Sequence, residues 1–579
     1  LYERLVIRMF LKKTRNSKGR TYLAIVDGYY DKKTKKSKHK VVESLGYLDD
    51  LEKTYEDPIA FFTQRAEQLT NQKKEQQSPI NLTFYDSDKL SVGDNLRKNF
   101  GHAALSKIYH ELEIHTFFIN RQRHSREEYD ANTIMKMLVY SRLLAPASKK
   151  ASFDNREMFF EKTNYSLDDV YRCLTFLDKQ KDKLQTWINE KIKAHYGRDT
   201  GIIYYDVTNY YFESDNNNDF TCKGVSKEHR PNPIVQMGLF MDNNGIPITY
   251  ELFPGNTNDC LTYRPGFGRI KKEFNPGRVI SVADKGMTTG DNIWYTLNTP
   301  DEDGYVFSMS VRGADKEMKS YVLKDEGYEW SGDEYKCKSR RFPRTIQVTS
   351  QTGRKIRKTV HEKQVVFWSE KYAKKARADR AAAILKAQDL ATHPGHYNRA
   401  TSYGAAKYIK KLDYDKETGE ILTTSSILEL DEEKLKAEEA LDGYYVLLTS
   451  EMDKTDGEII DIYRGLWRIE ESFKVTKSEL EARPVFVWTK EHIEAHFLIC
   501  FVALTVARIL ELKSGRKYSI GKLLESLGNS TCSLLQQNYY TFDYFDEVLR
   551  DIGDIMNIDF SKRIRTLGEI KKILADTKK

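Results

Sequence analysis

One stretch constrains the fold more than any other. Phe497 to Ala507 (FLICFVALTVA) sets 11 almost uninterrupted apolar residues in a row, followed at once by Arg508. That falls well short of the about 20 residues that span a bilayer, so the stretch reads as a core helix sheathed by protein. A chain of 579 residues outgrows a single hydrophobic core, and three or more domains are expected. The 40% hydrophobic share is enough to fill them, while 31% charged residues imply a heavily solvated surface. No membrane function is expected. The N-terminus lacks the apolar core of a signal peptide, which points to a bacterial-type cytoplasm, with nucleoid association when bound to DNA. The six cysteines lie far apart without a C-x-x-C pair, against zinc knuckles and a disulfide framework.

Charge is concentrated rather than large. Residues 1–40 hold 13 Lys/Arg against 3 Asp/Glu, a local +10, so with a net charge of +8 the other 539 residues sum to -2. A second block, 336–380, has 15 Lys/Arg against 3 acidic residues and is interleaved with Phe342, Phe367, Trp368 and Tyr372. Two basic blocks in a near-neutral remainder suit a polyanion. A solvated surface in a lysine-rich proteome would look similar.

Texture divides the chain. Residues 1–55 alternate in short runs about a Lys-rich turn and read as a basic β-hairpin module, with a linker over 56–90. Residues 91–200 have 3- and 4-residue apolar spacing, so they are helical, a candidate DNA-binding region. From 201 to 312 the runs GIIYYDVTNYYFE, IVQMGLFM, IPITYELF, RVISVADKG and YVFSMSV predict strands, with a hairpin at DNNG and a helical crossover. A charged, poorly patterned segment, 313–440, interrupts them. DGYYVLLTS resumes as a strand within 441–515, long helices run from 457 to 512, and 516–579 reads as a helical C-terminal region. No phosphate loop is present in the sequence, so no nucleotide cofactor is expected.

Two aspartates, Asp206 in IIYYDVTN and Asp284 in VISVADKG, stand at predicted strand ends, where α/β sheets expose functional groups. Either alone could merely cap a turn. At ~100° per residue along DIYRGLWRIEESFKVTKSEL, Trp467, Glu470, Lys474 and Lys477 fall within about 40° of Tyr463. Ile462, Leu466, Ile469, Phe473 and Leu480 form a core-facing stripe beside them. Glu470 sits at the core's edge, whereas Glu471, about 80° round, points further away. Two Asp and a Glu are the oxygen ligands that Mg²⁺ or Mn²⁺ prefers, and an acidic trio can clamp two ions across a phosphodiester. Tyr463, Lys474 and Lys477 would then contact flanking DNA phosphates. A solvated helix would carry similar Glu–Lys pairs.

IDIYRGLWRIEESFKVTK resembles the Tyr-Arg-Glu-Lys signature of DDE transposases of the insertion sequence 4 superfamily, with Tyr463, Glu470 and Lys477 at matching spacing. SKEHRPNPIVQMGLF, IPITYELFPGNTND, VADKGM and RPVFVWTKEHIEAHFLICFVAL resemble the 1634-type group within it, over about 200–510. The resemblance implies an α/β, RNase H-like mixed-sheet core (201–312 and 441–515), interrupted by an insertion domain (313–440), with Asp206, Asp284 and Glu470 as catalytic and metal-binding residues and two Mg²⁺ or Mn²⁺ ions per site. It also implies excision and strand transfer by a homodimer on double-stranded DNA, at terminal inverted repeats and target DNA. The signature's Arg falls on Leu466, and Arg464 or Arg468 would take its place on DNA. A nuclease that cuts without joining and a silent DNA-binding relative are the rival readings.

Two weaker signals complete the sequence. His492 and His496 stand one turn apart in HIEAH, where core or DNA-facing roles outweigh metal binding because no Glu directly follows the first His. Trp330 and Trp368 could stack on an unpaired base, though burial is the more ordinary role.

Overall fold

The computed structural model describes residues 9–17, 19–31, 36–75, 80, 82–123, 127–213, 217–224, 227, 232–392, 408–410 and 429–579. The chain forms two compact units, 1–92 and 93–579.

In the first unit, β1 (Met9–Arg15), β2 (Thr21–Asp31) and β3 (Lys36–Tyr47) form an antiparallel sheet in that order. The expected hairpin is thus a three-stranded sheet, and the expected linker is largely the helix α1 (Pro58–Glu75). An isolated small sheet is marginal in water and needs cover for its apolar face. Ala66 of α1 supplies it against Met9 and Ile25, and Thr70 Oγ1 accepts a bond from Met9 N at 3.0 Å.

The second unit is built on one nine-stranded mixed sheet. Its first part is β5 (Ile202–Tyr211), β6 (Ile234–Asp242), β7 (Pro247–Pro254), β8 (Ile280–Ala283) and β9 (Gly304–Met309), counting as β4 the short strand Arg97–Asn99. β5, β6 and β7 pair antiparallel, while β8 joins β5 in parallel and β9 joins β8 in parallel. The DNNG turn and the crossover helix Asp259–Glu273 fall where the sequence predicts them. All nine residues of β6 are buried because both faces of the sheet are covered.

The segment 313–440 departs from expectation. Its strands β10 (Glu329–Ser331), β11 (Tyr335–Thr349) and β12 (Lys355–Trp368) do not stand apart but extend the same sheet, with β12 pairing to β13 (Tyr444–Thr449) and β13 to β9. Unsatisfied strand edges at β13 and β9 favour this continuation. Nor is the C-terminal region only helical. β14 (Thr531–Leu534), β15 (Tyr539–Phe542) and β16 (Ile564–Thr566) form a small sheet with β4.

The helical region packs as core. α2 (Ala131–Leu144) and α3 (Leu167–Tyr196) lie against a later helix, Lys490–Lys513, whose residues from Ile493 to Glu511 are all buried. By length and composition that helix could cross a membrane, but its apolar window is entirely enclosed, as the sequence leads one to expect. The expected continuous helix over 461–480 is instead two helices, α4 (Asp456–Arg464) and α5 (Trp467–Ser478), followed by α6 (Lys490–Lys513). Between α4 and α5 the backbone tightens to i→i+3 bonds, such as Leu466 N to Tyr463 O at 3.0 Å. Gly465 explains the pinch, because a Cβ there would overlap the Tyr204 hydroxyl.

Candidate active site

Asp206 is not at a strand end. It is the fifth residue of β5, which continues to Tyr211 against β6. What ends near it is the parallel pairing with β8, whose last matched pair is Tyr205 with Ala283. Asp206 and Asp284 therefore follow matched residues on neighbouring strands, about 4.8 Å apart in a sheet. Ser308 likewise follows the matched pair Ala283–Phe307 on β9. The three polar residues are in line where the apolar ladder stops.

Ser308 Oγ donates to Asp284 Oδ1 at 2.7 Å, and the Tyr463 hydroxyl donates to the same oxygen at 3.3 Å. Burial pushes the Tyr463 hydroxyl well above its ordinary pKa, with the Asp284 charge adding to the effect. α4 thus delivers Tyr463 to the carboxylate, and the pinch at Gly465 sets the start of α5, which carries Glu470.

Burial also pushes the Asp206 carboxyl up to about 6; the Lys227 ammonium and the Val207 N–H pull it down, while the Asp284 and Glu470 charges raise it further. The three carboxylates are therefore within electrostatic reach of one another. Burial pushes the Tyr445 hydroxyl on β13 up, and the Tyr372, Asp284 and Glu470 charges add to it. Glu470 is exposed, while Glu471 is bound to the buried Arg508 at 3.0 Å.

Lys477 is half-buried, its Nζ 5.6 Å from the centre of the Tyr210 ring. Burial and the Lys227 charge push it down to about 8, against the pull of Asp206. Lys474 is exposed on the same helix. The two arginines face elsewhere. Arg464 lies over the Tyr335 ring at 4.6 Å and near Glu334 at 3.7 Å, and Arg468 reaches the Tyr204 hydroxyl at 3.4 Å. Leu466, at the signature's Arg position, is buried.

Ser308, Lys227 and Tyr445 were not singled out from sequence. Ser308 had a signal, a polar residue within the apolar run YVFSMSV. Lys227 sits in a stretch with no periodicity, donates to the Val207 carbonyl and lies 3.8 Å from Asp259.

The two histidines and Trp368 resolve as structural, whereas Trp330 is exposed, against the expected burial. His496 Nε2 donates to Ala482 O at 3.0 Å, which leaves Nδ1 to accept from Lys149 Nζ at 3.0 Å. His492 approaches Thr175 Oγ1 at 3.3 Å. Trp368 donates to Asp442 O at 2.9 Å, and Trp330 is exposed, edge-on to it at 6.1 Å.

Among the described residues no three His, Cys, Asp or Glu side chains form a ready-made metal cage. The donor chemistry nonetheless fits a hard divalent cation. Three carboxylates share one region, and mutual repulsion and burial already raise Asp206, a cost that a cation would offset.

Residues 11–80 match the IS1634 family transposase, N-terminal domain, and residues 223–506 match the transposase DDE domain. The second match includes Asp284 and Glu470 and begins after Asp206. No curated protein matches the chain. Among solved structures, a piggyBac transposase synaptic complex with hairpin DNA aligns over 83% of this chain and 84% of that one, at 9% identity and a TM-score of 0.35. A Mos1 mariner paired end complex with Mn aligns over 30% of this chain and 58% of that one, at 15% identity and a TM-score of 0.13. Likeness at these scores carries no argument about geometry. The chain belongs to the DDE transposases, enzymes that act on DNA, and within them to the IS1634 type.

Proposed function

We propose that this transposase cuts and joins DNA at the terminal inverted repeats of its own element, through Asp206, Asp284 and Glu470 on an RNase H-like core, as a homodimer in the cytoplasm. The observation that carries the reading is the strand register that sets Asp206 beside Asp284, with Glu470 in electrostatic reach. The order of β5 to β9, a three-stranded antiparallel meander joined by two parallel strands, supports the RNase H-like reading.

The trio would hold two Mg²⁺ or Mn²⁺ ions. Bound there, the ions would activate an attacking water or hydroxyl and neutralise charge on the scissile phosphate. Ser308 and Tyr463 fix the Asp284 carboxylate by donating to Oδ1, and its other oxygen would face the cation. Lys477 and Lys474 offer cations to the flanking phosphates. In the first step the trio would serve hydrolysis of one strand; in the later step it would serve attack by the freed 3′-hydroxyl on a new phosphodiester.

The test is incubation of the chain, and of its Asp206→Ala, Asp284→Ala and Glu470→Ala variants, with duplex carrying the element's end, in Mg²⁺ or EDTA, on a denaturing gel. Metal-dependent cleavage by the wild type alone, with DNA binding retained in all four, is expected. Pre-cut ends with free 3′-hydroxyls supply the joining arm, and their failure to join would leave only a nuclease.

A further inference from the structure

The hairpin of β11 and β12 has one anchored and one exposed face, with cations on both: Lys336, Lys338, Arg340, Arg344 and Lys358 on the anchored side, Arg341, Lys355 and Arg357 on the exposed side. From Tyr335 to His361 the chain holds nine Lys or Arg and no Asp or Glu. Cross-strand partners share a face, and the register pairs Pro343 with His361, Thr345 with Thr359, Gln347 with Arg357, and Thr349 with Lys355. All eight of these residues are exposed, and so is Arg341. The other face is anchored. Ile346, Val348 and Val360 are buried, and Arg344 pairs with the fully buried Glu362 at 2.8 Å. The helix Gly290–Leu297 closes against that side so tightly that a Cβ on Gly290 would overlap the Gln347 carbonyl. Asp291 of the same helix reaches the end of the exposed face, where it accepts from Thr349 Oγ1 at 2.8 Å and lies 3.5 Å from Lys355 Nζ.

The result is a braced, two-stranded antiparallel ribbon that presents a polar and cationic face to solvent. At its middle, Gln347 and Arg357 are directly paired. The B-DNA major groove is about 12 Å wide and admits a two-stranded ribbon, and Arg and Gln are the side chains that read guanine and adenine edges there. Arg354 in the turn and Lys355 on the strand, the latter 3.5 Å from Asp291, are exposed at the ribbon's tip.

We propose that this ribbon docks in the major groove of duplex DNA, with Gln347 and Arg357 on base edges and Arg341, Arg354 and Lys355 on phosphates. The proposal rests on the reading of the chain as a DNA transposase and names the surface by which it grips its substrate.

The experiment compares the full-length chain with R354Q/R357Q and with the control K571Q/K572Q, which removes two exposed cations from the C-terminal helix. Binding to duplex carrying the element's end is measured against salt, and dimethyl sulfate footprints report guanine N7 in the major groove. The expected result for the ribbon variant is a salt slope shallower by about 1, an affinity loss of roughly tenfold or more at physiological salt, and loss of N7 protection at one or two guanines. Its melting temperature should match the wild type, and the control should keep wild-type binding. An unchanged salt slope or an unchanged N7 footprint in R354Q/R357Q would overturn the proposal. End cleavage is scored separately, so a wild-type chain that binds but does not cut would count against the catalytic reading alone.

Discussion

The Tyr463 hydroxyl and Ser308 Oγ converge on one oxygen of Asp284, at 3.3 and 2.7 Å. A helix and a strand far apart in sequence thereby fix the orientation of a single carboxylate. In metal sites such supporting bonds are worth about 10- to 100-fold in affinity or activity. Tyr463→Phe should therefore lower end cleavage by about that factor while melting at nearly the wild-type temperature, and excess Mn²⁺ should restore part of the loss. Full activity in Tyr463→Phe would assign the tyrosine to packing only.

Neighbouring glutamates should behave oppositely. Glu470 is exposed and coupled to Asp206, so Glu470→Gln should abolish cleavage and leave the melting temperature unchanged. Glu471 holds the buried Arg508, so Glu471→Gln should cost about 1–2 kcal/mol of stability and leave cleavage per folded molecule intact. Thermal melts alongside gel assays on both variants check the pair.

Asp206 titrates near 6 in the folded chain against 3.8 for an ordinary Asp. Between those values the metal-free folded state holds a proton that the unfolded state has lost. This group's contribution to stability is therefore present below the window and lost as pH rises through it. Cation binding has the reverse dependence because it needs the anion. Calorimetric Mn²⁺ titrations should show affinity dropping by about tenfold per pH unit below 6. A flat profile from pH 5 to 8 would take Asp206 out of the ligand set.

Gly465→Ala tests the pinch between α4 and α5. The new methyl meets the Tyr204 ring and hydroxyl, and overpacking of this kind costs about 1–3 kcal/mol. Because the shift would separate Glu470 from Asp284, cleavage should fall further than stability alone explains, measured at a temperature where the variant is fully folded.

The sequence was most legible where structure is local. The DNNG hairpin, the crossover helix, the β8 strand before Asp284 and the sheathed α6 all declare themselves by turn chemistry or apolar period. The pinch at Gly465 was hidden because its cause, Tyr204, lies on a distant strand. The sheet's extension was hidden too, since Lys and Arg occupy both faces of β11 and blur its alternation until the register separates them. The short strands β14 to β16 carry too few residues for any period to show. Of the proposed site, the two aspartates, Glu470 and Tyr463 were already candidates in the sequence, whereas Lys227 comes near them only through folding.

α6 has one further consequence. Its buried girth is wrapped on one side by α2 and α3, which precede β5 in the chain, and it touches β7 and α5 on the other. A fragment begun at residue 200, though it would keep all three acidic residues, would strip that helix of half its coat and leave an oily rod open to water. The strands that carry Asp206 and Asp284 and the upstream helices thus share one core through this helix, and a fragment lacking either side is expected to aggregate rather than fold.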